Sequence, residues 1–260
     1  MCIRDSYDRE WGTDPAVPMS EDCLYLNIWT PALRGYGADS MVTSEKLPVM
    51  VWIYGGAYQC GGTFEKEFDG THLAANGVVV VSVAYRLNAF GFMTHPLLHE
   101  EAVERGDGEP YANFGFLDQR AGIQWVKENI AKFGGDPENV TLFGQSGGGC
   151  KVLNMFATSE AEGLFDQAVV QSGGEGHIDQ DIAKKVTAKT LEILGISDNE
   201  VEQLKEVPYE SLDAAATEAQ KQVGEELGTS VGWSPVLDED YLHTDCLLYT
   251  SDAADDLIGV

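Results

Sequence analysis

Val140-Thr-Leu-Phe-Gly-Gln-Ser-Gly-Gly-Gly-Cys-Lys-Val152 carries an apolar strand into a glycine-lined turn and out into a helix. Ser146 stands at the apex of Gly144-Gln-Ser-Gly-Gly-Gly149, which has the G-x-S-x-G form of a nucleophile elbow. That form makes Ser146 the candidate for attack on a carbonyl. Glycines surround it because the backbone must turn sharply and larger side chains would crowd an approaching substrate. A Gly/Ser string alone also suits an ordinary turn. The apolar run before it and the helix-compatible Lys151-Val-Leu-Asn-Met-Phe156 after it supply the context an elbow requires.

Outward from the elbow, residues 24–30 alternate well enough for a strand near a sheet edge. Residues 49–54 and 78–83 are denser apolar runs that suit central parallel strands covered on both faces. A short helix ended by glycine, over 70–77, connects those two. The spacing predicts a helix over 116–133, with Leu117, Ala121, Trp125, Ile130 and Phe133 on one broad face, stopped by Gly134-Gly-Asp-Pro137. Strands at 140–143 and 167–171 follow. This alternation predicts an α/β fold whose mostly parallel sheet is flanked by helices. From residue 178 the pattern becomes helical, over 181–194 and again over 202–227 with a break near Pro208. A helical insertion around 178–228, capping the sheet, is the expected arrangement rather than a separate domain.

An activated serine needs hydrogen-bond donors where the tetrahedral oxygen gathers negative charge. Tyr54-Gly-Gly-Ala-Tyr58 follows the strand at 49–54 directly, and Gly61-Gly62 come soon after. Such a loop turns backbone N–H groups toward the space above the nucleophile. Arg86 and Asp118 lie outside the pairing of glycine loop and elbow, and are expected to stabilise the fold. An arginine does not act as a general base at neutral pH.

The 260 residues carry a formal charge of −27, which reads as a solubilising surface. It excludes a nucleic-acid backbone as partner and disfavours an anionic membrane. No membrane span or signal segment is predicted. The five cysteines, Cys2, Cys23, Cys60, Cys150 and Cys246, include no C-x-x-C. They fit reduced thiols and lean toward a cytoplasmic setting. No cofactor and no metal is called for. Asn139-Val-Thr141 is a glycosylation sequon, but it enters a predicted buried strand, so modification is not expected.

The chain resembles the type-B carboxylesterases, the α/β-hydrolase family of cholinesterases and para-nitrobenzyl esterases. The matching blocks begin with Ser20-Glu-Asp-Cys-Leu-Tyr-Leu-Asn-Ile-Trp29, Val51-Trp-Ile-Tyr-Gly-Gly-Ala-Tyr58 and Tyr85-Arg-Leu-Asn-Ala-Phe-Gly-Phe92. Asn113-Phe-Gly-Phe-Leu-Asp-Gln119, Phe133-Gly-Gly-Asp-Pro137, the elbow and Gln171-Ser-Gly173 continue them in family order, with a weaker echo at Ser234-Pro-Val-Leu-Asp238. The resemblance implies a carboxylic ester hydrolase that takes a small-molecule ester and works through an acyl-enzyme at Ser146. It also implies that Gly56, Ala57 and Gly147 supply the oxyanion N–H groups. Ala57 replaces the usual third glycine and keeps its N–H. Gln145 replaces the usual glutamate, removing a negative charge, so a preference for choline esters is not implied. Relatives pair a cysteine matching Cys23 with one upstream; Cys2 alone precedes it here. Tyr58 either borders the alcohol side of the pocket or packs within the loop. Catalytically silent relatives make an esterase-like interaction module the alternative.

The triad is harder to complete. His72, His95 and His99 suit exposed or structural roles, and His177 suits a wall on the acyl side of the pocket. His243 follows Asp238, Glu239 and Asp240 in the right order, but acid and base normally arrive on separate loops. In the family the acid lies well over a hundred residues beyond the nucleophile and the histidine farther, so both would fall after Val260. The chain is therefore expected to be an internal piece of a longer protein. Its partial hydrolase domain spans 7–245. The ends 1–6 and 246–260 resemble translated adapter sequence rather than native protein.

Overall fold

The computed structural model describes residues 20, 22–34, 41–42, 45–95, 104, 112–156, 158–174, 176–237 and 242. In chain order the strands are β1 (Leu26–Trp29), β2 (Leu33–Arg34), β3 (Met41–Val42), β4 (Leu47–Ile53), β5 (Val79–Val83), β6 (Gly135–Gln145) and β7 (Gln167–Gln171). The helices are α1 (Thr71–Ala74), α2 (Asn88–Phe92), α3 (Phe114–Asn129), α4 (Gly147–Met155), α5 (Gln180–Leu194) and α6 (Tyr209–Leu227). None of the described helices is long and apolar enough to cross a membrane. The chain divides into two compact units.

The first unit comprises Met1–Arg86, Leu117–Phe156 and Ala161–Gly174. Its main sheet has the order β1-β5-β4-β6-β7, with a two-residue ribbon of β2 and β3 beside it in sequence. β4, β5, β6 and β7 pair in parallel, and β1 adds an antiparallel edge against β5. β-branched runs occupy the centre: Val49, Val51 and Ile53 line the buried face of β4 while Met50 and Trp52 on its other face are half-buried, and β5 is buried along its whole length. Each such side chain contributes about 1.5–3 kcal/mol of burial. The C-terminal ends of β4 and β6 therefore emerge side by side from a rigid base, with Ile53 opposite Gly144.

Two expectations are corrected. β6 begins at Gly135, earlier than the expected 140, because Gly135 pairs with Leu47 across a register irregularity that accommodates Pro137. On α3, the buried stripe is Phe116, Gln119, Ile123 and Val126, followed by Ile130 in a terminal turn of 3₁₀ helix. Ala121 is exposed and Trp125 is 36% exposed. Residues at three- and four-residue steps from Phe116 face inward, and Gly122 brings the helix onto β5: a β-carbon there would meet Val83 Cγ1 at 2.6 Å.

Arg86 and Asp118 tie the end of β5 to α3. Arg86 Nε and one terminal nitrogen donate to the two Asp118 oxygens at 2.7 Å each, and the Arg86 backbone N–H donates to Oδ2 at 3.0 Å. A fork of this kind is a structural clamp, as its sequence position led us to expect. Asp118 is nearly buried, while Arg86 is more open, so screening moderates the pair. Asp118→Ala is expected to destabilise the protein by about 2 kcal/mol, measured by denaturant unfolding.

The second unit comprises Leu87–Phe116, Ala157–Glu160 and Glu175–Val260. α5 starts where the Asp179 side chain accepts from the Asp181 N–H and ends at left-handed Gly195. Pro208 caps α6, breaking the acidic helical region where the sequence suggested. α5 and α6 pack together. Asn113 holds Val236 by reciprocal 2.8 Å bonds to its backbone N–H and carbonyl. His95 is buried, with Nε2 3.1 Å from Asp198 Oδ1, and so has a structural position.

Candidate active site

At the junction of β6 and α4, Ser146 adopts φ 57° and ψ −127°. An L-residue reaches this region at a cost of about 1–3 kcal/mol, which its surroundings must hold in place. Its N–H donates to Gln171 O at 2.9 Å, and its carbonyl accepts from Cys150 N at 3.0 Å. Glycines allow the turn by removing atoms that would collide. A β-carbon on Gly148 would lie 2.1 Å from Ile53 O, and one on Gly144 would lie 2.6 Å from Gly148 backbone. The Ser146 side chain is exposed and makes no capping bond to α4. Its Oγ is thus presented to solvent at the N-terminus of a helix, where the backbone dipole favours developing negative charge.

The glycine loop arrives beside it from β4. Gly56, Ala57 and Tyr58 carry successive φ values of 94°, 52° and 61°. That left-handed run turns the backbone back on itself, and the Gly56 carbonyl accepts from Gln59 N and Cys60 N at 3.0 and 3.1 Å. A β-carbon at Gly56 would stand 2.0 Å from Cys60 O, so glycine is required there. A β-carbon built on Gly55 would be 3.5 Å from Ser146 Cβ, and one built on Gly147 would be 3.0 Å from Ala57 N. Loop and elbow are in van der Waals contact.

A sequence model of the carboxylesterase family matches residues 1–260. The chain belongs to the carboxylesterase family. It is 41% identical over 198 residues to the para-nitrobenzyl esterase of Bacillus subtilis, covering 76% of this chain and 37% of that protein. Against the fumonisin B1 esterase of Sphingopyxis macrogoltabida it is 43% identical over 173 residues, covering 66% and 29%. Among solved structures, a PNB esterase superposes with TM-score 0.74 at 37% identity, covering 88% of this chain and 46% of that one. A Geobacillus stearothermophilus carboxylesterase gives TM-score 0.73 at 38% identity, covering 92% and 47%. The fold is that of the α/β-hydrolases, and the chain spans less than half the length of each of these relatives.

Within this carboxylesterase-family chain the remaining named residues fall as follows. Gln145 closes β6 opposite Gln171 and is exposed next to Ser146. Tyr58 is 5% exposed, with its ring against the Lys151 ammonium, so its side chain packs inside the loop. Burial pushes the Tyr58 phenol well above the ordinary tyrosine range, and it stays protonated. His177 belongs to the second unit, where it lines a cavity of about 140 Å³ with Ile178, Ile182 and Thr229 of the same unit. His72 is exposed on α1. His99, His243, Asp238, Glu239 and Asp240 lie outside the described residues, as do Cys2 and Cys246. Among the described residues, Cys23, Cys60 and Cys150 form no disulfide.

Sequence reasoning missed Lys151. It is 0% exposed on α4, with Nζ donating to Tyr54 O at 3.3 Å. The available signal was its spacing, four residues after Gly147 and therefore on the same inward helix face.

Proposed function

We propose that this chain is the nucleophile-bearing part of a serine carboxylesterase that hydrolyses small-molecule carboxylic esters. The left-handed, exposed Ser146 in contact with the glycine loop carries this proposal. Ser146 Oγ attacks the ester carbonyl, and the negative charge moves to the carbonyl oxygen. The N–H groups of Gly56, Ala57 and Gly147 receive that oxyanion. Collapse expels the alcohol, which takes up the proton lost by the serine, and leaves an acyl-serine. Water then releases the acid and restores Ser146. The relatives are named for esterase action on different compounds, para-nitrobenzyl esters and fumonisin B1 among them. A carboxylic ester is the chemistry common to those names.

The base and its orienting acid belong, in this proposal, to sequence beyond Val260 in a longer parent. Two observations support that. His95 is buried with its Nε2 against Asp198. Among the described residues β7 pairs on one side only and exposes Val169 and Val170 by 44% and 39%, a profile that suits a covered strand better than a sheet edge. The proposal includes a partial hydrolase domain over 7–245 with a helical insertion around 178–228, and non-native ends at 1–6 and 246–260.

The test is ester hydrolysis by the parent protein, using short-chain nitrophenyl esters. Turnover with burst release of nitrophenol is expected. Absence of both turnover and reaction with a serine-directed phosphonate would favour an esterase-like interaction module instead. Gly147→Ala gives a finer check. The added methyl retains the N–H and would stand 3.0 Å from Ala57 N, so the loop must give by about a few tenths of an ångström beside its donors. A fall in kcat of roughly 10- to 100-fold with KM nearly unchanged is expected from steady-state kinetics.

A further inference from the structure

Lysine is rarely buried without a carboxylate partner, because desolvating its charge is expensive. Lys151 is such a case: among the described residues no carboxylate is paired with it. Its Nζ is instead held by one carbonyl and two aromatic faces. It bonds Tyr54 O at 3.3 Å, stands 4.4 Å from the Tyr58 ring centre and 4.9 Å from that of Tyr85. Tyr54 and Tyr58 are the two ends of the glycine loop. A β-carbon built on Gly147 would be 3.6 Å from the same nitrogen and 3.0 Å from Ala57 N. One ammonium group thus touches the entry and exit of the loop and lies just behind the point where loop and elbow meet.

We propose that Lys151 is a positioning residue for the oxyanion hole, clamping Tyr54 and Tyr58 against α4 so that the loop and elbow N–H groups converge, and adding the positive potential of its ammonium form behind them. This rests on the esterase function proposed above. A purely structural purpose fits poorly. Tyr54 O also accepts from Tyr85 Oη at 2.5 Å and the two rings stack at 4.2 Å, so at Tyr54 the lysine adds to an existing anchor and its distinct contribution is its hold on Tyr58 and its charge. A hydrophobic side chain would fill the same space with no desolvation penalty.

Burial lowers the Lys151 pKa to about 7, with the Cys150 and Cys60 thiols opposing the shift. The groups facing it are therefore Tyr58 and Cys60 from the loop, Tyr85 following β5, and Cys150 on its own helix; the Tyr58 phenol remains neutral. Because the folded pKa is below the unfolded value, the unfolded chain alone holds this proton between about pH 7 and the ordinary lysine range. Stability from this group therefore rises with pH across that window and is lowest below pH 7. The charged form that best serves the oxyanion is the one that burdens the fold.

The experiment compares wild type, Lys151→Met and Lys151→Gln in the parent protein, with active sites counted by phosphonate titration. Per active site, Lys151→Met is expected to lower kcat/KM roughly 10- to 100-fold. Affinity for a trifluoromethyl ketone, which mimics the oxyanion, should fall by a similar factor. The alkaline limb of the kcat/KM profile near pH 7 should disappear, and the melting temperature below pH 7 should rise. Lys151→Gln, which can still donate to Tyr54 O, should keep the loop ordered but also lose the pH limb. Unchanged kinetics and ketone affinity in active Lys151→Met would overturn the inference. So would a lower melting temperature with full per-site activity, the signature of a structural lysine. Wild-type parent without ester turnover would overturn the esterase proposal and this inference with it.

Discussion

Ser146→Ala in the parent protein is expected to lower ester turnover by about 10⁴- to 10⁶-fold while leaving the fold intact. The size follows from the role: without Oγ no acyl-enzyme forms, and only binding and the oxyanion donors remain to assist water. The preserved fold follows from the backbone. Alanine has the same β-carbon as serine, so it meets the same strain at φ 57° and ψ −127°. The exposed hydroxyl makes no capping bond whose loss would weaken α4. Stability should stay within about 0.5 kcal/mol. Ser146→Gly separates strain from chemistry: it should be equally inactive yet more stable by about 1 kcal/mol, because glycine tolerates positive φ. Both are read by steady-state kinetics alongside denaturant unfolding. An alanine variant retaining even a tenth of wild-type turnover would remove Ser146 from the mechanism.

The next largest effect concerns the extent of the chain. The 260 residues alone are expected to turn over esters at least about 10³-fold more slowly than the parent, since an unassisted serine is a weak nucleophile at neutral pH. They should also associate. Val169 and Val170 lie on a strand that is an edge among the described residues, and Phe156 at the end of α4 is 44% exposed. Light scattering should reveal oligomers of the short chain and a discrete species for the parent. The gene of the parent should replace the tail from Cys246 with ordinary coding sequence and encode, downstream, an acidic residue and then a histidine whose substitution abolishes turnover. Ester turnover by the short chain at the parent's rate would contradict this.

The elbow was readable from local pattern because its requirements are local. The φ of Ser146 and the close approach at Gly144 and Gly148 each demand a small residue at a fixed offset, and glycine records that demand directly. The loop after β4 was readable for the same reason. The parallel core followed from its β-branched runs. What escaped depended on tertiary surroundings. The inward stripe of α3 includes Gln119 and Gly122, which carry little hydrophobic signal, so the larger Trp125 drew attention to the wrong face. The five-residue α2 is too short for periodicity to reveal. Gly134-Gly-Asp-Pro137 does end the helical stretch, at left-handed Gly134, but the start of β6 at Gly135 escaped because a register irregularity lets the strand pass through Pro137. Lys151 was hidden by its type, since its burial depends on two aromatic faces brought from separate segments, the loop after β4 and the stretch after β5.

Reaction of the parent with a serine-directed phosphonate, followed by peptide mass mapping, tests the central claim most directly. One phosphonyl group per molecule should appear on Ser146, with loss of ester turnover in proportion to labelling. Label on any other residue, or full inactivation with Ser146 unmodified, would contradict it.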